Sequence, residues 1–170
     1  DEESVQKGNI HNLVPDSDPV LSQVLDNFDF ANPPTDPIQL AYDLVESMRF
    51  HNGLGLSANQ VGLPYRAFAM YAVPAIVCFN PKLLDESEDQ VLLDEGCLSF
   101  PGLSMRIKRA KNIRVRYTEP NGNVVTTKFT GMAARCFLHE LDHMNGITYN
   151  ERASFIQREV GLKRQKKLAK

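Results

Sequence analysis

The sequence predicts an α+β fold, and two observations support that prediction. Helical patterns stand near both ends of the 170-residue chain, while segments typical of strands occupy the middle. This order differs from the regular strand–helix alternation of parallel α/β folds. Apolar residues make up 42% and charged residues 24% of the chain, which is typical of a globular domain with a hydrophobic core. We therefore expect antiparallel sheets packed with helices.

The first helix is predicted to begin at Asp36, which is a favourable N-cap residue. Pro37 fits the first turn, and Gln39 completes a capping-box pattern. Apolar side chains then recur at helical spacing until Gly53 supplies a stop signal. These apolar residues are Ala41, Leu44, Val45 and Met48. The preceding segment, residues 11–35, is rich in Pro, Asp and Asn and is predicted to be irregular.

Strands are predicted through the middle of the chain. The stretches IRVRYT and VVTTKF flank Asn121 and Gly122, a pair that favours a hairpin turn. Other segments typical of strands lie at 66–71, 75–80, 91–93 and within 105–117. A second helix is expected at about 131–145, with Gly146 as its stop, and a last charged helix over 151–169.

Composition and charge exclude several classes of protein. The formal net charge of −2 argues against nucleic acid as the main partner. The longest apolar stretch, residues 66–79, is short for a membrane span and contains Pro74, so no membrane partner is expected. Three cysteines give no disulfide framework and favour a reducing compartment. No secretory pattern opens the chain, but it does not begin with Met, so an upstream targeting segment is left open.

Residues 139–143, HELDH, have the spacing of a zinc-type metal site on a helix. His139 and His143 are offset by roughly 40° around the helix axis and about 6 Å along it, so both imidazoles can reach one cation. Glu140 lies near the same face, where it can act on a water molecule. A solvated helix face with incidental histidines is the alternative. The glutamate between the histidines favours the metal site.

The third protein ligand is less clear from spacing. Cys136 shares the face, but its Cα lies about 10 Å along the axis from that of His143, which favours a packing role. Cys97 follows a strand-like segment and precedes a Pro-Gly turn, where a thiolate could be directed at a cation. Glu151 and Glu159 are carboxylates downstream of the motif, as a zinc endopeptidase would use. Spacing alone leaves Cys97 and these carboxylates open.

Three segments together resemble the signature motifs of the peptide deformylases, in the same chain order. They are GLGLSANQ (53–60), EGCLS (95–99) and HELDH (139–143), and the similarity spans roughly residues 13–150. That family removes the formyl group from the N-terminal methionine of new polypeptides. The resemblance implies an α+β fold in which antiparallel sheets pack around a central helix that carries the HExxH motif.

The resemblance also implies the metal chemistry. Cys97, His139 and His143 match the family's ligands to one divalent ion. That ion is usually Fe²⁺ in the cell, and Zn²⁺, Ni²⁺ or Co²⁺ can substitute. Glu140 matches the general acid and base of the reaction.

Further roles follow from the same resemblance. Gln60 and the backbone N–H of Leu98 match the donors that stabilise the oxyanion, and Gly55 matches a glycine whose backbone lies close to the substrate. Two positions depart from the family. Ser57 stands where the family mostly has alanine, and Ser104 stands where many bacterial members carry an arginine, so selectivity at the substrate end is expected to differ.

The predicted organisation is a flexible segment (1–12), a catalytic domain (13–150) and a charged C-terminal helix or tail (151–170). The expected substrate is a nascent formyl-Met peptide. The basic end, residues 161–170, is similar to the helix by which bacterial deformylases dock on the ribosome, and a solvated amphipathic end is the alternative. The expected location is the cytoplasm, or a bacterial-type organelle stroma or matrix if a targeting segment was removed.

Other interpretations of the sequence stand alongside this one. The basic stretch 106–116 would suit a nucleic-acid surface, but alternation on a half-exposed strand explains most of its charges. Arg109 within it is expected to pair with Asp142 or Glu95 and to support the metal ligands. A catalytically silent binding protein that keeps the metal is a further hypothesis. The presence of Glu140 favours an enzyme instead.

Overall fold

The computed structural model describes residues 6–169, and in that range it contains four α-helices, two short 3₁₀ helices (Pro19–Ser22 and Ala58–Val61) and seven strands. The helices are α1 (Pro37–Phe50), α2 (Gly131–Met144), α3 (Tyr149–Arg152) and α4 (Phe155–Leu168). The strands are β1 (Gly55–Ser57), β2 (Ala67–Met70), β3 (Ile76–Glu86), β4 (Gln90–Gly96), β5 (Ser104–Ala110), β6 (Asn112–Thr118) and β7 (Val124–Thr130). None of the described helices has the length and apolar character needed to cross a lipid bilayer.

The strands form two sheets, and within each sheet every pair of neighbouring strands is antiparallel. The larger sheet has the order β1-β2-β3-β6-β7, and β4 pairs with β5 in a separate two-stranded sheet. The prediction of an α+β fold with antiparallel sheets is therefore confirmed. The expected strand segment 105–117 is divided at Lys111 into β5 and β6.

Helix α2 packs on both sheets. It contacts β1, β2, β6 and β7 of the larger sheet and β5 of the smaller one. Ala134 and Phe137 on this helix are completely buried, together with Phe68 and Val115 of the larger sheet. The residues of the HExxH motif lie on α2, so this packing encloses the motif between the two sheets. Helix α1 packs on β1 and β2 around a second apolar cluster.

The start of α1 follows the prediction only in part. The Asp36 carboxylate accepts hydrogen bonds from the backbone N–H groups of Ile38 and Gln39. In a capping box, the Gln39 side chain would also bond back to the backbone N–H of Asp36. That prediction is wrong, because the Gln39 amide donates instead to the Lys7 carbonyl and the Asp43 carboxylate. A side chain at this position serves tertiary contacts that a local sequence pattern does not reveal.

The end of α1 also differs from the prediction. Gly53 was expected to stop the helix, but α1 ends at Phe50 and the left-handed residue is Asn52, with φ of 58°. Asparagine tolerates this conformation because its short polar side chain can bond locally.

The described part of the expected flexible N-terminal segment is hydrogen-bonded to α1. The Asn9 N–H donates to Asp43 over 2.7 Å, and the His11 N–H donates to the Ser47 hydroxyl over 2.9 Å. The first five residues of that segment lie outside the described part of the chain.

Strands β6 and β7 form the hairpin predicted around Asn121 and Gly122. Its loop has five residues, 119–123, because the Gly122 N–H donates to the Glu119 carbonyl and the Glu119 N–H donates to the Asn123 carbonyl. Gly122 has φ of 92°, a conformation that favours glycine. The turn residues were therefore identified correctly, although the connection is longer than a two-residue turn.

The last helices correct the final prediction. Gly146 follows α2 with φ of 71°, as expected for a stop residue. The charged segment is not one helix over 151–169, because α3 ends at Arg152 and α4 begins after Ser154. The Ser154 hydroxyl accepts from the Gln157 N–H and caps α4, a role for which serine is well suited.

Candidate metal centre and active site

Two elements bring three metal-binding side chains together. His139 and His143 project from α2, and Cys97 directly follows β4. One ligand atom from each residue lies within 4.8 Å of the other two. The Cys97 Sγ atom is 3.4 Å from His143 Nε2. The structure thus brings together the cysteine and both histidines that the sequence singled out.

This arrangement fits one divalent ion. Metal–sulfur and metal–nitrogen bonds of about 2.3 and 2.0–2.1 Å in a tetrahedral site separate the sulfur and nitrogen by roughly 3.6 Å. The observed distance between Cys97 Sγ and His143 Nε2 is 3.4 Å, close to that value. A thiolate and two imidazoles are also a donor set that suits a transition metal rather than magnesium or calcium.

Glu95 holds His139 in a fixed orientation. Its Oε1 atom is 2.8 Å from His139 Nδ1, so the ring donates from Nδ1 and leaves Nε2 for the centre of the site. Metal-binding histidines commonly use such a carboxylate partner, which fixes both the tautomer and the ring orientation.

Glu95 in turn belongs to a group of buried charges. Arg109 donates to Glu95 through two nitrogens, at 2.9 and 3.0 Å, and to Asp142 at 2.7 Å. Arg135 donates to Glu95 at 2.6 Å. Arg152 donates to both carboxylate oxygens of Asp142. Arg109 therefore pairs with both of the carboxylates proposed for it, and the group connects α2 to the two-stranded sheet.

These contacts determine the charge of Glu95 and of the two histidines. Burial opposes ionisation of Glu95, but hydrogen bonds from His139 and Arg109 lower its pKa to about 2. Burial also opposes the charged form of His139, but Cys97, Glu95 and Glu140 raise its pKa to about 10. Burial, with the positive charges nearby, lowers the pKa of His143 well below its usual range. Since a metal ligand must be a neutral imidazole, His143 is already in the binding form, and an ion would displace a proton from His139.

Glu140 lies beside the three donor atoms. Its side chain is almost fully buried, with Oε1 3.9 Å from His139 Nε2 and Oε2 without a hydrogen-bond partner among residues 6–169. Burial raises its pKa to about 7, although the charge of His139 opposes that shift. Gly55 lies against it, since a Cβ on Gly55 would be 3.1 Å from Glu140 Oε1. A carboxylate with this pKa can both take and release a proton near neutrality.

The side-chain amide nitrogen of Gln60 lies beside Cys97. The Gln60 Nε2 group donates to the Ser99 hydroxyl at 3.0 Å and lies 3.4 Å from Cys97 Sγ. Its carbonyl oxygen accepts from the backbone N–H of Ser57 at 3.0 Å and is 3.0 Å from the Ser57 hydroxyl. That hydroxyl is also 2.7 Å from Asn59 Oδ1. Ser57 therefore helps to fix which way the Gln60 amide faces.

One cavity borders several of these groups. It measures about 840 Å³ and is lined by Gly55, Gln60, Cys97, Leu98, His139 and Glu140, among others. Sites of this size typically enclose a small-molecule ligand or a short peptide segment.

Comparison with known proteins identifies the family to which this chain belongs. A family model described as polypeptide deformylase matches residues 10–159. The chain belongs to the peptide deformylase family. The peptide deformylase of Wolbachia pipientis subsp. Culex pipiens is 38% identical to it over 149 residues, which cover 79% of this chain and 83% of that protein.

Solved structures agree with the fold of this deformylase. The peptide deformylase of Thermus thermophilus superimposes with a TM-score of 0.84 at 33% identity, covering 93% of this chain and 94% of that one. A peptide deformylase of Acinetobacter baumannii bound to Met-Ala-Ser has a TM-score of 0.79 at 29% identity, covering 85% and 98%. Peptide deformylases are metal-dependent hydrolases, and this chain removes the N-formyl group from the N-terminal methionine of newly made polypeptides.

Two further cysteines and the two downstream carboxylates are not among the three clustered donors of this deformylase. The Cys136 thiol donates to the Leu54 carbonyl at 3.3 Å, and burial raises its pKa. Cys78 is fully buried in the apolar core. Glu151 is exposed on α3, and Glu159 is exposed on α4. The basic stretch 106–116 follows the expected alternation, with most of its charges on the exposed faces of β5 and β6.

Sequence reasoning missed the role of Arg135. This buried side chain donates to Glu95 and to the backbone carbonyls of Val91 in β4 and Ile107 in β5. A signal was present, because Arg135 lies four residues before His139 on the same face of α2 and interrupts a buried surface with a charge. Buried charges are almost always paired, so such an arginine predicts a carboxylate partner.

Proposed function

We propose that this deformylase binds its catalytic ion with Cys97, His139 and His143, and that Glu140 moves the proton of the reaction. The observation that carries the proposal is the spacing of the three donor atoms, all within 4.8 Å of one another. The buried Glu140 carboxylate beside them supports the second role, because one of its oxygens has no partner in the described part of the chain.

Each remaining step uses a residue of the cavity. When bound, the ion supplies Lewis-acid chemistry, which polarises the formyl carbonyl and lowers the pKa of water. Glu140 accepts the proton of the attacking water on a carboxylate oxygen and then delivers it to the departing amine nitrogen. Gln60 Nε2 and the backbone N–H of Leu98 donate to the formyl oxygen as negative charge develops there. Gly55, which has no side chain, leaves room for Glu140 and lines the cavity that the substrate enters.

Removing the Gln60 donor should raise the reaction barrier by a predictable amount. Loss of one such donor typically raises the reaction barrier by about 2.7–4 kcal/mol. The fixed orientation of the Gln60 amide supports this role, because its carbonyl oxygen is already held by Ser57 and its amide nitrogen lies on the side of Cys97.

The test measures turnover of a formyl-Met tripeptide without oxygen, with metal content determined on the same samples. Glu140→Ala should lower kcat by roughly 10²- to 10⁴-fold and retain the ion, because it removes a proton carrier. Cys97→Ala should lose the ion. Glu151→Ala and Glu159→Ala are the matched controls and should keep both ion and turnover. An ion that is lost in Glu151→Ala and kept in Cys97→Ala would mean a carboxylate ligand, as in a zinc endopeptidase, and would overturn the proposal.

The ion that serves in the cell is proposed to be Fe²⁺, with Zn²⁺, Ni²⁺ or Co²⁺ able to substitute. The thiolate of Cys97 and two imidazoles support any of these four over a harder cation. Metal analysis of protein purified without oxygen from cells grown on unsupplemented medium tests the choice. A stoichiometric amount of zinc and no iron in that sample would contradict it.

The proposed working location is wherever formylated chains are made, either a bacterial cytoplasm or the stroma or matrix of a bacterial-type organelle. The nascent substrate supports this location. The three cysteines are also free of disulfides, as is usual in a reducing compartment.

The proposed organisation is a catalytic domain over 13–150, preceded by residues 1–12 and followed by the charged segment 151–170. That last segment is proposed to contact the ribosome through the exposed basic side chains of α4. These are Lys163, Arg164, Lys166 and Lys167. Their positive charge is suited to the phosphates of RNA, with strong dependence on salt.

Charge reversal tests the ribosome contact better than deletion, because α4 packs on β5. Replacing Lys163, Lys166 and Lys167 with glutamate should abolish co-sedimentation with ribosomes and leave tripeptide turnover unchanged. The exposed Lys108 and Lys111, replaced in the same way, provide the control. Ribosome binding that survives the α4 changes would remove this proposal.

A further inference from the structure

The cavity extends well beyond the proposed metal ligands, as far as the carboxyl end of α4. Its volume of about 840 Å³ lies within the range of sites that enclose a whole drug-sized ligand. A single formyl-methionine residue is much smaller than such a ligand. The part of the cavity away from Cys97 is therefore available to the residues that follow the methionine.

Four exposed apolar side chains from separate parts of the chain line this cavity. Leu54 precedes β1, Tyr71 follows β2, Met132 lies in the first turn of α2, and Leu168 ends α4. Their exposed fractions are 63%, 62%, 56% and 75%, in that order. We call these four residues the apolar rim. Large apolar side chains that cluster in the open around a cavity are typical of a binding surface.

Helix α4 reaches the rim because it packs closely on β5. Gly161 is its one buried residue in the described part of the chain, and a Cβ there would lie 2.5 Å from the backbone oxygen of Ser104. Near the end of the helix, Gln165 Nε2 donates to the Pro101 carbonyl at 3.2 Å. These contacts hold the last turn of α4, which carries Leu168, at the edge of the cavity.

We propose that Leu168 selects substrates with an apolar side chain shortly after the formyl-methionine, by packing against that side chain within the apolar rim. The inference rests on the proposed function, which positions the formyl group beside Cys97, His139 and His143. An extended chain advances about 3.3 Å per residue, so the second or third residue is the part that leaves the metal centre for the rim. Ser104, which also lines the cavity, adds no charge there.

The test compares three peptides under anaerobic conditions: formyl-Met-Ala-Ser, formyl-Met-Leu-Ser and formyl-Met-Ala-Leu. The unsubstituted protein should prefer at least one leucine peptide. Leu168→Ala should raise KM for that peptide roughly 3- to 10-fold, since a pocket discriminates modestly between apolar side chains. Its kcat, and both constants for formyl-Met-Ala-Ser, should stay the same, because only binding of the distal side chain is weakened.

Two further variants separate a role in the cavity from a general effect on α4. Ile156 is a matched control, because it is 71% exposed on the same helix and does not line the cavity. Ile156→Ala should change none of the constants. Gly161→Ala should reproduce the pattern of Leu168→Ala by a different route, because the added methyl group moves α4 away from Ser104.

An unchanged KM for both leucine peptides in Leu168→Ala would overturn the inference. An equal loss for all three peptides would also overturn it, since a general defect is not selection. If the unsubstituted, metal-loaded protein turned over none of the peptides, the proposed function would fail and this inference would fail with it. Turnover without a selective effect of Leu168→Ala would remove the inference alone.

Discussion

At the scale of single residues, Gly55 controls the space available to Glu140. A methyl group on Gly55 would lie 2.9 Å from Cys136 Sγ and 3.1 Å from both Cγ and Oε1 of Glu140. Gly55→Ala should therefore displace the carboxylate and lower kcat by about 10²-fold, since a shift of about 1 Å in a catalytic group has this effect. Steady-state kinetics and metal analysis on the same sample provide the measurement, and the ion content should be unchanged.

Gly96 supplies the control for that substitution. A Cβ on Gly96 would have its nearest neighbour at 3.8 Å, an ordinary contact distance, although this glycine lines the same cavity. Gly96→Ala should keep kcat within about twofold of the unsubstituted protein. A Gly55→Ala protein that is equally active would mean that Glu140 does not work from the position described.

At the scale of elements, Asp43 attaches the N-terminal segment to α1. Burial opposes its charge, but hydrogen bonds from Asn9, His11 and Gln39 outweigh burial and lower its pKa. Because the folded pKa is below the unfolded value, the stabilisation is fully present above about pH 4 and is lost as pH falls through the folded pKa. Asp43→Asn should lower the free energy of unfolding by about 1.5–3 kcal/mol at pH 6 and by much less at pH 2.5.

Urea denaturation at the two pH values measures this difference. The exposed Asp16, replaced by asparagine, is the matched control and should lower the free energy of unfolding by less than about 0.5 kcal/mol at either pH. A loss for Asp43→Asn that is equally large at pH 6 and pH 2.5 would show that the charge of Asp43 is not the stabilising feature.

At the scale of the whole molecule, the choice of ion should govern how long activity lasts in air. The Cys97 thiolate and a ferrous ion are both readily oxidised. Iron-loaded protein should therefore lose formyl-Met tripeptide turnover faster in air than nickel- or zinc-loaded protein. Circular dichroism should show the fold intact in all three samples. The same rate of decay for the three ions would rule out oxidation at the metal centre as the cause.

Much of the site could be predicted from the sequence because its signals are local. The i,i+4 spacing of His139 and His143 on a helix is enough to indicate a shared ion, and the Asn-Gly pair is enough to indicate the β6–β7 hairpin. The pairing of Arg109 was also foreseen, since a charge on a strand next to a metal motif needs a partner.

Other features depend on contacts between distant parts of the chain. Spacing could not choose between Cys97 and a downstream carboxylate, because the choice depends on how β4 approaches α2. The side chain of Gln39 does not bond back to the backbone N–H of Asp36, because its amide bonds to the Lys7 carbonyl and the Asp43 carboxylate instead. The position of α4 depends on a close approach of Gly161 to β5. The charged sequence of α4 does not predict this contact.

The buried contacts of Glu95 have a consequence for how the protein acquires its ion. Arg109 and Arg135 tie the strand that leads to Cys97 to the helix that bears both imidazoles, and they do so with hydrogen bonds that require no metal. The three proposed donors are thus positioned by contacts other than those to the ion. A chelated sample should therefore accept a different metal without unfolding.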